Sequence, residues 1–166
     1  MAQRRSGAGA SASRYPTANE RSSTDSRTRA GLAVFDCWIA NSDRHNGNIA
    51  YSRNNLPIAA FDHERALLGH EAGKGIARLQ DINGKPHFMG CLLPFLRAAK
   101  DIRTWIDRFA AIPEEMLQEL CRAVQLPGGI TQDEAAAAAR FLCDRKKALL
   151  QVVEAGKQHL PNVKDW

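Results

Sequence analysis

Read for the spacing of its apolar residues, the chain divides into a polar leader, one short pair of strands and a long helical remainder. Leu32, Phe35 and Ile39, with Val34 and Trp38 beside them, recur at helical intervals. A helix is therefore predicted from Gly31 to about Asn41. The period then changes. Ile49-Ala50-Tyr51-Ser52 and Pro57-Ile58-Ala59-Ala60-Phe61 are short apolar runs separated by Arg53-Asn54-Asn55-Leu56. Asn-Asn favours the turns that close hairpins, and Pro57 is acceptable as the first residue of a strand. An antiparallel pair is expected, with Asn48 and Asp62 at its open end. Irregular chain follows to about Lys85, with Asn83-Gly84 as a turn. Cys91, Leu92, Phe95, Leu96 and Ala99 predict a helix near residues 89–100, and Ile102, Trp105, Ile106 and Phe109 a second. Met116, Leu117, Leu120 and Val124 predict a third, between Pro113 and Pro127. Thr131-Gln132-Asp133-Glu134 is a capping box, in which Thr and Glu satisfy free backbone amides reciprocally. It opens a last helix, with five consecutive alanines favouring that state, which ends at a C-cap on Gly156. Trp105 and Trp166 are read as packing residues. The fold class is mainly α (α+β), with one small hairpin.

Composition sharpens the boundaries. Residues 1–30 hold six Arg against Glu20 and Asp25, so they carry +4 of the formal +5. The rest is nearly neutral and has no basic stripe, so a nucleic-acid partner is not expected. The leader is rich in Ser, Ala and Arg and has almost no large aliphatic residue. Such a segment buries too little apolar area to offset its ordering entropy. A disordered basic tail is expected over 1–30, one folded domain over 31–160 and a short C-terminal tail over 161–166. The leader has no apolar core of a secretory signal, and no run approaches the roughly 20 apolar residues needed to span a bilayer. Cys37, Cys91, Cys121 and Cys143 are scattered without a Cys-x-x-Cys pair, which argues against zinc or a disulfide framework. A reducing, cytoplasmic location is expected.

The chemistry is concentrated in Ser42-Asp43-Arg44-His45-Asn46-Gly47-Asn48 and in Phe61-Asp62-His63-Glu64. A carboxylate precedes a basic pair, an Asn follows five residues later, and a second Asp returns after two strands. Paired strands lie roughly 5 Å apart, so Asn48 and Asp62 should converge on one point. Hard oxygen ligands of this kind suit magnesium rather than zinc. Asp43 would lie beside that point, free to accept a proton from an attacking hydroxyl, which is the division of labour in kinases. Gly69-His70-Glu71-Ala72-Gly73-Lys74-Gly75 is not a P-loop: three residues separate its first two glycines and Gly75 follows Lys74. A flexible loop is expected there.

The segment Asp43 to Ile49 resembles the catalytic loop of phosphoinositide-kinase-type and HipA-like kinases, and Phe61-Asp62-His63 resembles their metal-binding Asp segment. Phe35 to His45 is most similar to the bacterial HipA-like kinases; aminoglycoside phosphotransferases carry a related loop on the same fold. The specific likeness covers about Gly31 to Leu68. It implies the C-terminal lobe of a protein-kinase-like fold, and an ATP- and Mg2+-dependent phosphotransferase acting on a protein or small-molecule acceptor. Asp43 would orient or deprotonate the acceptor, and Asn48 and Asp62 would hold magnesium against ATP. His45 and Arg44 would stabilise the transferring charge. For His45 a hydrogen bond bracing the loop stands beside that role, and for Arg44 a pairing with a carboxylate. Asp36, one position off the apolar stripe, is expected to make a structural hydrogen bond.

Kinase-like folds also carry an N-terminal lobe with a Gly-rich loop and a Lys, and the leader has neither, so an absent N-lobe and weak activity alone are expected. The alternative is a non-catalytic kinase remnant, serving as a binding module or as half of a split enzyme whose partner supplies an N-lobe. A metal-dependent nuclease needs a His-bearing hairpin followed closely by a helix, and the hairpin here lies between Asn48 and Asp62 instead.

Overall fold

Residues 18–52, 57–71, 73–88, 90–125 and 129–166 are described in this computed structural model. Helix α1 (Ala18–Trp38) leads through a loop and a 3-10 turn (Asn46–Asn48) into strands β1 (Ile49–Tyr51) and β2 (Pro57–Ala60). Helices α2 (Gly75–Ile82), α3 (Ala99–Ala110), α4 (Glu114–Ala123) and α5 (Gln132–Ala155) follow. The protein is mainly helical, as the periodicity predicts. None of the described helices is long and apolar enough to cross a membrane.

The long helix α5 is the central support: α1, α2, α3 and α4 all pack on it. Its small residues Ala135 and Ala138 allow close approach, and Leu149, Val152 and Val153 fill the interior beside Val34, Ile102 and Leu117. Each such large side chain contributes about 1.5–3 kcal/mol when fully buried, so this contact layer holds the fold. Its start is the expected capping box: Glu134 N donates to Thr131 Oγ1 at 3.2 Å and Thr131 N donates to Glu134 Oε2 at 2.8 Å. Gly156 is the C-cap.

Helix α1 begins well before the predicted Gly31, inside the expected tail. Tertiary contacts hold it there where composition does not. Ser26 Oγ donates to Asp101 at 2.7 Å, and the Trp105 indole donates to Arg27 O at 2.7 Å. Gly31 lets Trp105 cross closely: a Cβ there would lie 2.5 Å from the indole. The part of the expected tail before Ala18 lies outside the described residues.

The hairpin pairs antiparallel as expected, with Ile49 opposite Ala60 and Ala50 opposite Ala59, and a bulge after Ala50. Its turn, Arg53 to Leu56, lies outside the described residues, as does Pro127. Two elements differ from the sequence reading. The helix expected over 89–100 is a 3-10 turn at Leu93–Phe95, because Pro94 removes an amide donor and restricts the residue before it. Within the expected irregular stretch, α2 forms with Leu79 buried. The C-terminal residues are not a loose tail. Val163 is buried, and Asp165 accepts from Ala99 N at 2.8 Å, capping α3 where Ala98 has no side chain able to do so.

Candidate active site

The site is built from the way α1 ends. Asn41 N donates to Asp36 O and Ala40 N to Cys37 O, with Ala40 left-handed at φ 51°. This is a Schellman turn, carrying Ala where Gly is usual. Distant donors add to this: Leu67 N donates to Ile39 O, Arg78 to Ala40 O and Arg145 to Cys37 O. The helix therefore stops firmly and turns the chain back along its own last turn. Asn41 fixes the exit, its Nδ2 donating to Asp36 Oδ1 at 2.9 Å while its Oδ1 accepts from Asp43 N at 3.2 Å.

Arg44 organises everything after that. Its Nε and Nη2 donate to the two oxygens of Asp36 at 2.8 Å each. The side chains are 1% and 3% exposed respectively. Nη1 reaches Asn48 O and Asn48 Oδ1 at 3.2 Å and Phe61 O at 3.1 Å. Nη2 also meets His63 Nε2 at 2.8 Å. One guanidinium thus binds the end of α1, the loop and the residue after β2. Its planar fork suits this work; an ammonium would not span it. Arg44 is the carboxylate-paired brace, and Asp36 has the structural role expected of it. The other role expected of Arg44, stabilising transferring charge, has no free donor to serve it, since all are engaged inside the protein.

Asn48 is buried, and its side-chain oxygen is likewise saturated. Its Oδ1 accepts from Arg44 Nη1 and from His45 N at 3.1 Å, and its Nδ2 donates to Asp43 O at 2.5 Å. Phe61 N donates to Asn48 O at 3.1 Å, so the hairpin does bring the Asp62 segment against Asn48. His45 is exposed, and its Nδ1 accepts from Gly47 N at 3.0 Å, capping the 3-10 turn. That is the bracing role. Asp43 is 37% exposed, and its Oδ2 lies 3.5 Å from Arg65 Nε. Such surface pairs contribute about 0–1 kcal/mol, so Arg65, which the sequence reading did not single out, orients more than it stabilises. Asp62 is exposed and left-handed at φ 56°, a conformation an Asp tolerates at some cost. Burial, and then the Arg44 charge, lower the His63 pKa.

Loop, hairpin and both carboxylate segments therefore meet, with Asp43 and Asp62 facing solvent. The pair expected to hold magnesium fits less well. A hard cation needs a free oxygen lone pair; Asp62 offers one, whereas Asn48 Oδ1 already accepts from two donors, one of them cationic. Among the described residues no three His, Cys, Asp or Glu side chains gather to hold a metal. Beside Asp43, an open cavity of about 460 Å³ lies between Ser42, Arg65, His70 and Lys74.

Behind the loop is a second buried polar group. Arg145, fully buried, donates to Cys37 O, Ile82 O and Lys85 O at 2.9–3.0 Å. His87 lies in the same region, its Nε2 buried without a hydrogen-bond partner. Burial foremost, with the Arg145 and Arg78 charges, lowers its pKa to about 4. The unfolded chain takes up this proton near pH 6.5, the native chain not until about pH 4. Stability from His87 is thus complete above pH 6.5 and falls as pH drops towards 4. Discounted for partial exposure, a loss of about 1–2 kcal/mol is expected between pH 7 and 4.5. His87→Asn should remove that part of the slope when urea midpoints at the two pH values are compared.

All four cysteines are free, and Cys37, Cys121 and Cys143 are buried. Comparison with protein-family models, with curated proteins and with solved structures found no match to this chain.

Proposed function

We propose that the Asp43–Asn48 loop and Asp62 form the phosphoryl-transfer centre of a HipA-like kinase lobe, with ATP as donor. The observation that carries this reading is the Arg44 brace. It ties the loop that follows Asp43 and the backbone of Phe61, next to Asp62, to one buried asparagine, and both carboxylates face solvent. Asp62 is held in the left-handed region, uncommon for a residue other than Gly and found most often at functional sites. In this reading Asp43 accepts the proton of an acceptor hydroxyl, and Arg65 holds its carboxylate in orientation. Ser42, Arg65 and the adjoining cavity receive the acceptor, which is a protein side chain or a small molecule. Magnesium, when bound, would neutralise phosphate charge; Asp62 is the residue available to it. No step is assigned to Asn48 as a ligand while Arg44 and His45 hold its oxygen.

That saturation favours the second reading, a non-catalytic kinase-like module. Labelled γ-phosphate transfer in magnesium, for wild type, Asp43→Asn and Asp62→Ala, separates the two. Slow transfer by wild type, reduced about 100-fold or more in Asp43→Asn and lost in Asp62→Ala, is expected. All three should unfold at similar urea concentrations, because both side chains are exposed. Transfer unaffected by Asp43→Asn would refute the proposal, and no transfer to any acceptor would support the non-catalytic reading.

A further inference from the structure

The cavity beside Asp43 carries one cation that nothing balances. Both carboxylates on its wall are already paired, Glu71 with Lys74 and Asp81 with Lys85, each at 2.7 Å. Arg78, on the same wall, is half-buried. Its guanidinium donates to Ala40 O at 2.7 Å, to Arg65 O at 3.0 Å and to Leu67 O. Those acceptors are neutral, and no carboxylate among the described residues pairs with it. Burial lowers its pKa. Three of the five N–H donors of a guanidinium are spent in this way, and two are left for a ligand. Gly69, left-handed at φ 71°, lets the loop close on the arginine, since a Cβ there would lie 3.1 Å from Arg78 Cδ. The charge is therefore held in place, and a partly desolvated charge without a partner draws an anion.

Arg65 connects this charge to Asp43. Its carbonyl accepts from Arg78, and its side chain lies 3.5 Å from Asp43 Oδ2. One residue thus spans the distance between the unbalanced cation and the carboxylate read as the base. The cavity volume of about 460 Å³ falls in the range of small-ligand sites. We propose that this cavity is an anion site, taking the carboxylate or phosphate of the acceptor at Arg78 and Lys74 with its hydroxyl at Asp43. The inference rests on the phosphoryl-transfer reading above. In that reading the hydroxyl oxygen bonds the γ-phosphorus of ATP, its proton passes to Asp43, and the bond to the departing ADP breaks. An anionic group beside a hydroxyl occurs in small molecules and in serine flanked by acidic residues, and the test separates the two.

Isothermal titration calorimetry of the full chain without ATP tests the site, with glycerol 3-phosphate and a glutamate-flanked serine peptide as probes. Glycerol and a glutamine-flanked peptide are their neutral counterparts. One anionic probe should bind, which identifies the source, and its neutral counterpart should not. Lys74→Glu should weaken that binding about fivefold or more, and Glu71→Gln, which frees Lys74, should tighten it. Lys100→Glu, the same charge change on α3 outside the cavity, should leave binding unaltered. All three side chains are exposed, so the urea midpoints should match wild type. In the labelled-transfer assay the bound probe should be the preferred acceptor, with KM raised in Lys74→Glu and kcat retained. No anion binding, equal binding of neutral probes, or indifference to Lys74→Glu overturns the proposal. Equally efficient transfer to the neutral acceptors overturns it too, while leaving the phosphoryl-transfer reading in place. Anion binding without transfer to any probe upholds the anion site and counts against that reading instead.

Discussion

Arg44→Ala is expected to lower the free energy of unfolding by about 3–5 kcal/mol, read as a fall in the urea midpoint. The reason lies in what the substitution leaves behind. Asp36 would keep a buried carboxylate with only Asn41 to satisfy it, and removing one partner of a buried pair typically costs that much. Asn48 O and Phe61 O would lose the same donor. Against a total stability of about 5–15 kcal/mol, the variant should be partly unfolded at rest. Arg44→Lys should recover little, since one ammonium cannot span Asp36, Asn48 and Phe61 at once. Replacing both partners, as in Asp36→Leu with Arg44→Met, should cost less than Arg44→Ala alone, because no buried charge is then stranded. A loss under about 1 kcal/mol for Arg44→Ala would mean that the brace is not formed.

Arg145→Met is the second large effect. No carboxylate pairs with this arginine among the described contacts; its donors serve Cys37 O, Ile82 O and Lys85 O, and its guanidinium lies 5.4 Å from the centre of the Phe141 ring. Two terms compete. Methionine removes a charge whose burial is unfavourable, and it also removes three hydrogen bonds from a charged donor, each worth about 1.5–3 kcal/mol; Lys85 O loses its donor, while Cys37 O and Ile82 O keep the amides of Ala40 and Lys85. The lost bonds should win, because they tie the end of α1 and the chain leaving α2 to α5. A net loss of about 3 kcal/mol is expected by chemical denaturation, and a neutral or stabilising result would reverse the sign of this balance.

The parts of the fold legible in the sequence were those set by neighbours along the chain. The hairpin followed from two apolar runs around a short polar link, and the α5 start from the reciprocal Thr131–Glu134 pattern. The meeting of Asn48 with the Asp62 segment followed from the hairpin alone. The rest depended on distant partners. Arg145 meets Cys37 across 108 positions, and nothing local distinguishes it from the surface arginines. The N-terminal half of α1 is too polar to be read as helix, and the contacts of Ser26 and Arg27 are with α3. Pro94 was the visible signal against a helix over 89–100, overridden by an apolar spacing that a 3-10 turn also satisfies. In the candidate site the residue types were legible and their duties less so. Arg44 and Asn48 carried a catalytic pattern, while their hydrogen bonds assign them to holding the loop.

The Schellman turn and the Arg44 fork together leave the loop no inexpensive way to melt by itself. Freeing its backbone would mean opening the junction of α1 and β2, so fluctuation is confined to the outward side chains of Asp43, His45 and Asp62. Whatever settles there meets a preset mould whose ordering entropy was spent during folding. Adaptation of shape then falls to the visitor.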